Sequence, residues 1–264
     1  MESSRASRKF LKADLWDAWE HQDTDQRKGI KPPANQKPYP HEATLVDLVS
    51  PEALTLGQMP LIEAIRKRRS RREYTDESLS LNELSFLLWA TQGVDLEATK
   101  SYREWLAGLI GWSVRDIPTL MRTVPSGGAC HPFETYLVVN NVEGLTPGIY
   151  RYLSVEHKLL FLEGGPSFET KASGSLPPML ARSAVVFIWT AIPYRSEWRY
   201  TIVAPKLIAQ ESGHICQNLY LACEAIGAGT CAVGAYDQKK MDELLGVDGE
   251  EEFTIYVAPV GKVK

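Results

Sequence analysis

The sequence predicts an α+β fold, in which helices pack against a sheet whose strands are mostly not consecutive along the chain. From residue 60 onward, segments with the apolar spacing of helices interleave with short apolar runs that are typical of strands. Two of these runs are separated only by residues 154–157, which favours an antiparallel hairpin. No glycine-rich dinucleotide fingerprint follows a strand pattern, so a doubly wound α/β fold is disfavoured.

The predicted helices rest on start signals, end signals and apolar spacing. The first helix of the main domain begins after Pro60, a residue suited to a first helical turn. The second begins after Ser80, which can form a capping box with Glu83, and it ends near Gly93. Further helices are predicted over residues 95–121, 205–226 and 237–245, and the first of these is expected to act as a lid insertion that sets substrate choice.

The predicted strands are short runs rich in β-branched and aromatic residues. They cover residues 134–140, 148–153, 158–162, 184–191, 230–233 and 253–259. The second and third of them form the expected hairpin.

Residues 1–56 are predicted to form an extension that precedes a main domain of residues 57–264. Apolar residues at helical spacing, among them Trp16 and Trp19, predict a short amphipathic helix over residues 9–21. The prolines of residues 31–40 lack amide donors and favour an extended connector. We expect this extension to pack on the main domain or on a partner subunit, and the sequence assigns no catalytic residue to it.

Composition and charge argue against several classes of protein. The chain has a net charge of −4 and 44% hydrophobic residues, so no basic field indicates nucleic acid or an anionic membrane. No apolar stretch reaches the roughly 18–20 residues of a spanning helix, and the N-terminus lacks the apolar part of a signal peptide, which predicts a cytoplasmic protein. The four cysteines form no CxxC pair, so no metal site is predicted.

Residues 66–74 concentrate cationic side chains around a hydroxyl group. Arg68 and Arg72 lie four residues apart, and Ser70 lies between them. The planar guanidinium binds phosphate oxygens in pairs and keeps its charge, so this pattern fits capture of a phosphate. Taken alone, the run is more typical of the solvated end of a helix, and a nucleic-acid patch is a further alternative.

Two glycine-containing segments would let a flat ligand approach the backbone. The first is the Pro-Ser-Gly-Gly loop of residues 125–128. The second, residues 227–237, leads from a helix end through a strand to a helix start. Taken alone, each segment is also explained as a tight turn, but a phosphate on a planar ring system would use both together with the basic run.

These three segments, in this order, resemble the FMN-dependent nitroreductase superfamily and, within it, the azoline-oxidising SagB-type dehydrogenases. The most discriminating match is the series SGHICQNLYLA at residues 212–222, followed by AIGAG at 225–229 and LLGV at 244–247. The resemblance covers about residues 57–264. It implies a three-layer sandwich, with a central and mostly antiparallel sheet flanked by helices. It also implies an interlocked homodimer that binds two FMN at the subunit interface.

The resemblance implies roles for individual residues. The FMN phosphate and ribityl chain are expected at cationic and hydroxyl side chains, namely Arg68, Arg69, Ser70 and Arg72, with Lys262 or Lys264 near the phosphate. One face of the flavin ring is expected against a loop of the other subunit, made of Pro125, Ser126, Gly127 and Gly128. A backbone amide is expected to meet flavin N5 from the segment of Val233, Gly234 and Ala235.

Azoline-oxidising relatives carry a lysine–tyrosine pair near the position of Arg199 and Tyr200, which makes these two residues the catalytic candidates. An arginine does not release its proton at working pH, so Arg199 cannot be a general base. Azole formation is weakened as the specific reaction for this reason. An ion pair is the alternative role for Arg199.

Together these features favour a homodimeric FMN oxidoreductase that passes a hydride through flavin N5 to a small organic substrate, in the manner of NAD(P)H-dependent nitroreductases. The hydride donor stays open among NADH, NADPH and neither. One alternative is a dehydrogenase that tailors a modified peptide with a partner protein. Others are a flavin-binding protein without turnover and, against the acidic net charge, a nucleic-acid binder.

Overall fold

The computed structural model describes residues 7–110, 114 and 119–264. Its strands are β1 (Leu45–Asp47), β2 (Phe133–Val139), β3 (Gly148–Leu153), β4 (Lys158–Gly164), β5 (Val185–Ala191), β6 (Ala228–Thr230) and β7 (Phe253–Lys262). They form one sheet in the order β1-β4-β3-β2-β5-β7-β6, and each neighbouring pair is antiparallel. The α+β class predicted from the sequence is confirmed.

The helices lie before, between and after groups of these strands along the chain. They are α1 (Trp16–Glu20), α2 (Leu61–Lys67), α3 (Leu81–Gln92), α4 (Leu96–Ile110), α5 (Pro166–Ser175), α6 (Pro178–Ala181), α7 (Tyr194–Tyr200), α8 (Ala204–Ala225) and α9 (Gln238–Leu245). The longest of them, α8, differs from its predicted range by one residue at each end.

Helices cover both faces of the sheet because its central strands are apolar on both sides. Every residue of β2, β3 and β5 is buried. On one face, Leu137 and Val139 pack with apolar residues of α3 and α8. On the other face, the alternate residues Tyr136 and Val138 pack with α5, α6 and α9. The result is the three-layer arrangement of helix, sheet and helix that the resemblance implies.

Two local predictions, the capping box and the hairpin, are confirmed by the structure. The capping box of α3 is present, because Ser80 Oγ accepts a hydrogen bond from the Glu83 amide at 3.2 Å and the Glu83 carboxylate accepts one from the Ser80 amide at 2.9 Å. The hairpin of β3 and β4 turns through residues 154–157, with His157 at φ 51°. Both signals are local in sequence, which is why they could be read directly.

Two other predictions are wrong in their extent. The helix over residues 9–21 is broken, because Lys12 is extended between a 3-10 turn at Arg8–Leu11 and α1. The strand over residues 230–233 is displaced to β6, which pairs with the end of β7. After β6 the chain leaves the sheet, and Val233 returns to form an isolated bridge with Val257.

Four elements have no counterpart among the predictions, namely β1, α5, α6 and α7. Of the helix predicted over residues 95–121, residues 96–110 form α4 and residues 119–121 are not helical. The remainder of that prediction, including Trp112, falls on residues 111–113 and 115–118, which lie outside the described part of the chain.

The extension of residues 7–56 is fastened to the main domain by pairing and by polar contacts. Strand β1 pairs with β4 and forms one edge of the sheet. The proline-rich segment, residues 31–40, has no regular structure. Arg151 Nη2 donates hydrogen bonds to the carbonyls of Lys37 and Pro38 at 3.0 and 2.9 Å. The carboxylate of Glu134 accepts a bond from the Lys37 amide at 2.7 Å.

Candidate functional site

The first cluster of candidate residues forms where the basic run meets helix α8. Arg68 follows α2 with an extended backbone, and its guanidinium carbon lies 5.2 Å from the centre of the Tyr220 ring. Ser70 Oγ lies 3.0 Å from the Tyr220 hydroxyl. The ring therefore holds Arg68 by a cation–π contact and Ser70 by a hydrogen bond. Arg68 and Ser70, predicted together, also lie together.

The same tyrosine connects this cluster to the second glycine-containing segment. The Tyr220 hydroxyl accepts a hydrogen bond from the Ala232 amide at 2.9 Å. The Val233 amide donates a hydrogen bond to the Val257 carbonyl at 2.7 Å. Gly234 and Ala235 are exposed, and no described residue accepts a hydrogen bond from either of their amides. These two amides are therefore free donors close to the basic run.

The remaining cationic side chains predicted for the phosphate site have different surroundings. Arg69 Nη1 donates to the carbonyls of Arg66 and Arg68 at 2.9 and 2.8 Å, so it caps the end of α2. Arg72 is exposed and lines a cleft of about 540 Å³, which Lys264 also lines. The ammonium of Lys262 is instead paired with the Glu83 carboxylate in a mostly buried contact. The structure therefore brings Lys264, rather than Lys262, to the side of Arg72.

The Pro-Ser-Gly-Gly loop forms a second cluster around Glu211 of helix α8. The Glu211 carboxylate accepts hydrogen bonds of 2.7 Å from the Ser126 hydroxyl and from the Gly127 amide. Ser126 Oγ in turn accepts a bond from the His131 amide at 2.9 Å. Burial raises the pKa of Glu211, and the bonds from Gly127 and Ser126 oppose that shift. A buried carboxyl group thus fixes the shape of the loop.

The backbone of this loop is strained. Gly128 has φ 59°, Ala129 has φ 53° and His131 has φ 46°. Positive φ is unfavourable for residues with a Cβ, so the surrounding bonds must hold it in place. Strain of this kind is concentrated at functional sites, which supports a functional reading of the loop.

Arg199 and Tyr200 lie against the strained loop. A Cβ atom built on Gly128 would lie 2.8 Å from both Arg199 Nη1 and the Tyr200 hydroxyl, and the positive φ at this position also favours glycine. No described residue forms an ion pair with Arg199. Burial raises the pKa of Tyr200, and the Arg199 charge opposes that shift. The loop and the predicted catalytic pair are thus brought together.

The extension of residues 7–56 covers this second cluster. Trp19 Nε1 donates to the Arg199 carbonyl at 3.0 Å, and the rings of Trp19 and Tyr200 lie 5.9 Å apart. The Gln26 amide donates to the Trp198 carbonyl at 3.0 Å, and Trp198 Nε1 donates to the Ile30 carbonyl at 2.9 Å. Helix α7 is therefore held from outside by the extension, a relationship that no sequence pattern revealed.

A cavity of about 600 Å³ lies between the extension, helix α4 and the strained loop. Its volume is typical of a site for a small organic molecule. The described residues that line it come from three parts of the chain: Gln26, Gly29, Ile30, Lys31, Pro32, Pro33 and Asn35 from the extension; Tyr102, Leu106 and Thr119; and Gly128, Ala129, Cys130, Arg195, Trp198 and Arg199 beside the loop.

Titratable groups next to the cavity are kept neutral by burial. His131 Nε2 donates to the Leu120 carbonyl at 3.0 Å, and burial lowers its pKa to about 3. Burial raises the pKa of the Cys130 thiol to about 11. Neither group is poised as a base or nucleophile at neutral pH.

Two further features bear on the chemistry of the described residues. Within residues 7–110, 114 and 119–264, no group of histidine, cysteine, aspartate or glutamate side chains is arranged to hold a metal ion. In the same part of the chain, no helix combines the length and apolar character needed to cross a bilayer.

The two clusters are connected by one helix but are separated along it. Glu211, at the loop, and Tyr220, at the basic run, lie nine residues apart on α8. At 1.5 Å per residue this is a separation of about 13 Å along the axis. Tyr220 is the functional candidate that sequence reasoning missed, although it lies inside the discriminating series of residues 212–222.

Comparison with known proteins identifies the family to which this chain belongs. The sequence matches the Nitroreductase family over residues 65–262. A candidate nitroreductase of Methanocaldococcus jannaschii is 31% identical over 212 residues, covering 78% of this chain and 95% of that protein. A crystal structure of a candidate nitroreductase from Ralstonia eutropha JMP134 gives a TM-score of 0.64 at 22% identity, covering 87% of this chain and 96% of that one.

A further structural neighbour is a chain of a microcin synthetase complex. The E. coli microcin synthetase McbBCD complex, with truncated pro-MccB17 bound, contains a chain that gives a TM-score of 0.56 at 18% identity. That match covers 87% of this chain and 78% of that one. The family match spans most of the sequence and the candidate nitroreductase is matched over nearly its full length, so this chain belongs to the nitroreductase family of oxidoreductases.

Proposed function

We propose that this protein is an FMN-dependent oxidoreductase that passes a hydride through flavin N5 to a small organic substrate. The observation that carries the proposal is the meeting of two donor groups at Tyr220. Arg68 and Ser70 contact its ring and hydroxyl, and the same hydroxyl holds the segment that ends in the free amides of Gly234 and Ala235. A phosphate and a flat heterocycle are the ligand parts that suit these donors.

The residues present fit FMN in their chemistry. Arg68, Ser70 and Arg72 would hold the phosphate and ribityl chain, with Lys264 beside Arg72. Lys262 would serve only if its pair with Glu83 opened. Arg69 would support the site indirectly through its bonds to the end of α2. An amide of Gly234 or Ala235 would stabilise negative charge at the ring. When bound, the flavin would supply the hydride chemistry, and the protein would supply position and electrostatics.

A homodimer would complete the site. The loop of residues 125–128 is held by Glu211 and the basic run by Tyr220, about 13 Å apart along α8, so each chain would offer them as two separate surfaces. The loop of a second chain would supply the other face. Three apolar side chains of α2, which precedes the basic run, are more than half exposed and are suited to such a contact: Leu61, Ile62 and Ile65.

Arg199 and Tyr200 would act on the substrate rather than on the flavin. The raised pKa of Tyr200 keeps its hydroxyl protonated at neutral pH, so it can donate a hydrogen bond. The permanent charge of Arg199 can hold an anionic group but cannot accept a proton. NADH, NADPH or a reduced substrate would supply the hydride.

The phosphate site is tested by Arg68→Ala. Purified protein should be yellow and should release FMN rather than FAD on denaturation. Loss of the Arg68 charge and of its stacking on Tyr220 should weaken FMN retention by about tenfold or more, because charge-assisted bonds contribute roughly 1.5–3 kcal/mol. The measurement is FMN fluorescence during dialysis and retitration.

The matched control is Arg66→Ala, which removes one exposed arginine from α2. Its FMN affinity should equal that of the unaltered protein. Equal affinity in Arg68→Ala would overturn the phosphate assignment. Colourless protein that takes up no added FMN would overturn the proposed function as a whole.

A peptide-tailoring dehydrogenase is the second candidate, and the similarity to a chain of the microcin synthetase complex supports it. Flavin bleaching separates the two under anaerobic conditions. Rapid bleaching by NADH or NADPH supports the nitroreductase activity, whereas bleaching only by an azoline-containing peptide supports the tailoring activity. A flavin that cycles with neither would indicate a binding protein without turnover.

A further inference from the structure

The charged side chains among the described residues that line the cavity beside Gly128 are all cationic. Three of its described lining residues are cationic, namely Lys31, Arg195 and Arg199. None of its described lining residues is aspartate or glutamate. Such a lining attracts an anionic ligand, because a low-dielectric wall strengthens the field inside a cleft.

The three cationic side chains differ in whether a carboxylate already balances their charge. Arg195 is buried and paired with Glu134 at 2.5 Å, so its charge is largely balanced. Arg199 forms no ion pair with any described residue, and its guanidinium reaches Gly128 at the edge of the cavity. A planar guanidinium in this state is suited to a carboxylate, which it can bind through two parallel hydrogen bonds. Arg199 is therefore the main anchor, and the exposed Lys31 adds a second positive charge to the lining.

The remaining walls include several apolar and aromatic side chains. The Trp198 ring is fixed by its bond to the Ile30 carbonyl. Pro32 and Pro33 follow on the extension, and Tyr102 faces the cavity from α4. Prolines and aromatic rings lose little conformational freedom when a ligand binds, so they favour a flat apolar body.

We propose that this cavity binds a small aromatic carboxylate, with Arg199 holding the carboxylate and the extension, residues 26–35, selecting the ring. For turnover the proposal rests on the proposed flavin function, since the substrate would lie next to the strained loop. For binding it rests only on the cavity. The extension, which the sequence left without a role, becomes a determinant of specificity.

Binding of 2-naphthoate tests the inference, with the neutral isostere 2-naphthamide as the matched ligand. Titration calorimetry on the full-length protein with added FMN should show naphthoate binding. Arg199→Gln should weaken it about tenfold or more, while naphthamide binding changes little. Arg199→Lys should recover part of the loss, because it keeps the charge but not the planar fork. Lys31→Gln should weaken naphthoate binding by a smaller factor, about two- to threefold.

Arg182→Gln is the control variant, because Arg182 is exposed and lies outside this cavity. It should bind naphthoate like the unaltered protein. Equal naphthoate affinity in Arg199→Gln, or no naphthoate binding by the unaltered protein, overturns the inference. A failed flavin assignment shows itself differently, as unaltered protein that is colourless and takes up no added FMN.

Discussion

At the scale of single residues, His131 shows how burial and charge shape the candidate site. Its ring is 4% exposed and donates to the Leu120 carbonyl, and the cations Arg122 and Arg195 lie near enough to disfavour a second proton. The burial that lowers its pKa to about 3 also keeps the strained loop rigid, since the His131 amide bonds to Ser126. A catalytic role for this histidine is disfavoured by its neutrality.

His131 predicts a dependence of stability on pH. Because its folded pKa is below the ordinary value of 6.5, the unfolded chain takes up the proton first. Its contribution is complete above pH 6.5 and is lost as the pH falls toward 3. Between pH 7.5 and pH 5 it should account for a loss of about 2 kcal/mol in the free energy of unfolding.

Urea unfolding of the unaltered protein and of His131→Gln checks this prediction. Glutamine keeps an amide donor for the Leu120 carbonyl but does not titrate. The difference in unfolding free energy between the two proteins should therefore shift by about 2 kcal/mol over this pH range. Parallel pH profiles would show that His131 is accessible to protons in the folded state.

Individual site residues were predictable from the sequence to different degrees. Arg68 and Ser70 were singled out because residue type and local spacing reveal a phosphate donor set. Tyr220 was not, because its role depends on contacts with Ser70 and Ala232, which are 150 and 12 residues away. The pairing of Lys262 with Glu83 is equally non-local, at 179 residues. Spacing identifies a helix face, but it does not identify what that face meets.

At the scale of elements, the central strands were predicted within about two residues, because continuous apolar runs are a strong signal. The elements that the sequence did not predict have only weak local sequence patterns. Strand β1 is three residues long and only partly buried. Helix α7 lies between Pro193 and Thr201, and the latter has φ 41°. Strand β1 is stabilised by pairing with β4, and α7 by hydrogen bonds to the extension. Both depend on contacts between residues that are far apart in sequence.

The attachment of the proline-rich segment makes a prediction at this scale. Glu134 is 4% exposed and accepts bonds from both Arg195 and the Lys37 amide. Glu134→Ala would leave Arg195 buried without its partner and would release the segment. We expect a loss of about 3–5 kcal/mol in the free energy of unfolding. The Lys37 amide, which loses its bond to Glu134, should also exchange its hydrogen faster under native conditions.

The control for this prediction is Glu169→Ala, which removes an exposed carboxylate from α5. It should change the free energy of unfolding by less than about 0.5 kcal/mol. An equally small change in Glu134→Ala would mean that water or a rearranged side chain compensates the buried arginine. The segment would then be attached mainly by the bonds of Arg151.

At the scale of the whole molecule, helix α8 organises the proposed site. Glu211 of this helix binds the strained loop, and Tyr220, nine residues later, binds the basic run. The 600 Å³ cavity lies beside the strained loop. The free amides of Gly234 and Ala235 follow the segment that Tyr220 binds. In the proposed homodimer, two chains related by symmetry would join the loop of one chain to the basic run of the other.

The last prediction tests that arrangement through the exposed side of α2. Leu61, Ile62 and Ile65 are 64%, 56% and 57% exposed, which is costly for three apolar neighbours in a single chain. Light scattering should give a mass of about 59 kDa, twice the 29.5 kDa of one chain. The double substitution Ile62→Glu and Ile65→Glu should place buried charge in the interface, producing monomers that have also lost FMN.

A double substitution with the same change in charge, Val155→Glu and Leu162→Glu, is the control. Both residues are about 40% exposed and lie at the hairpin of β3 and β4, away from α2. This variant should remain dimeric and yellow. If the α2 variant became monomeric yet kept its FMN, the whole flavin site would lie within one chain. The proposed contribution of the loop from a second chain would then be wrong.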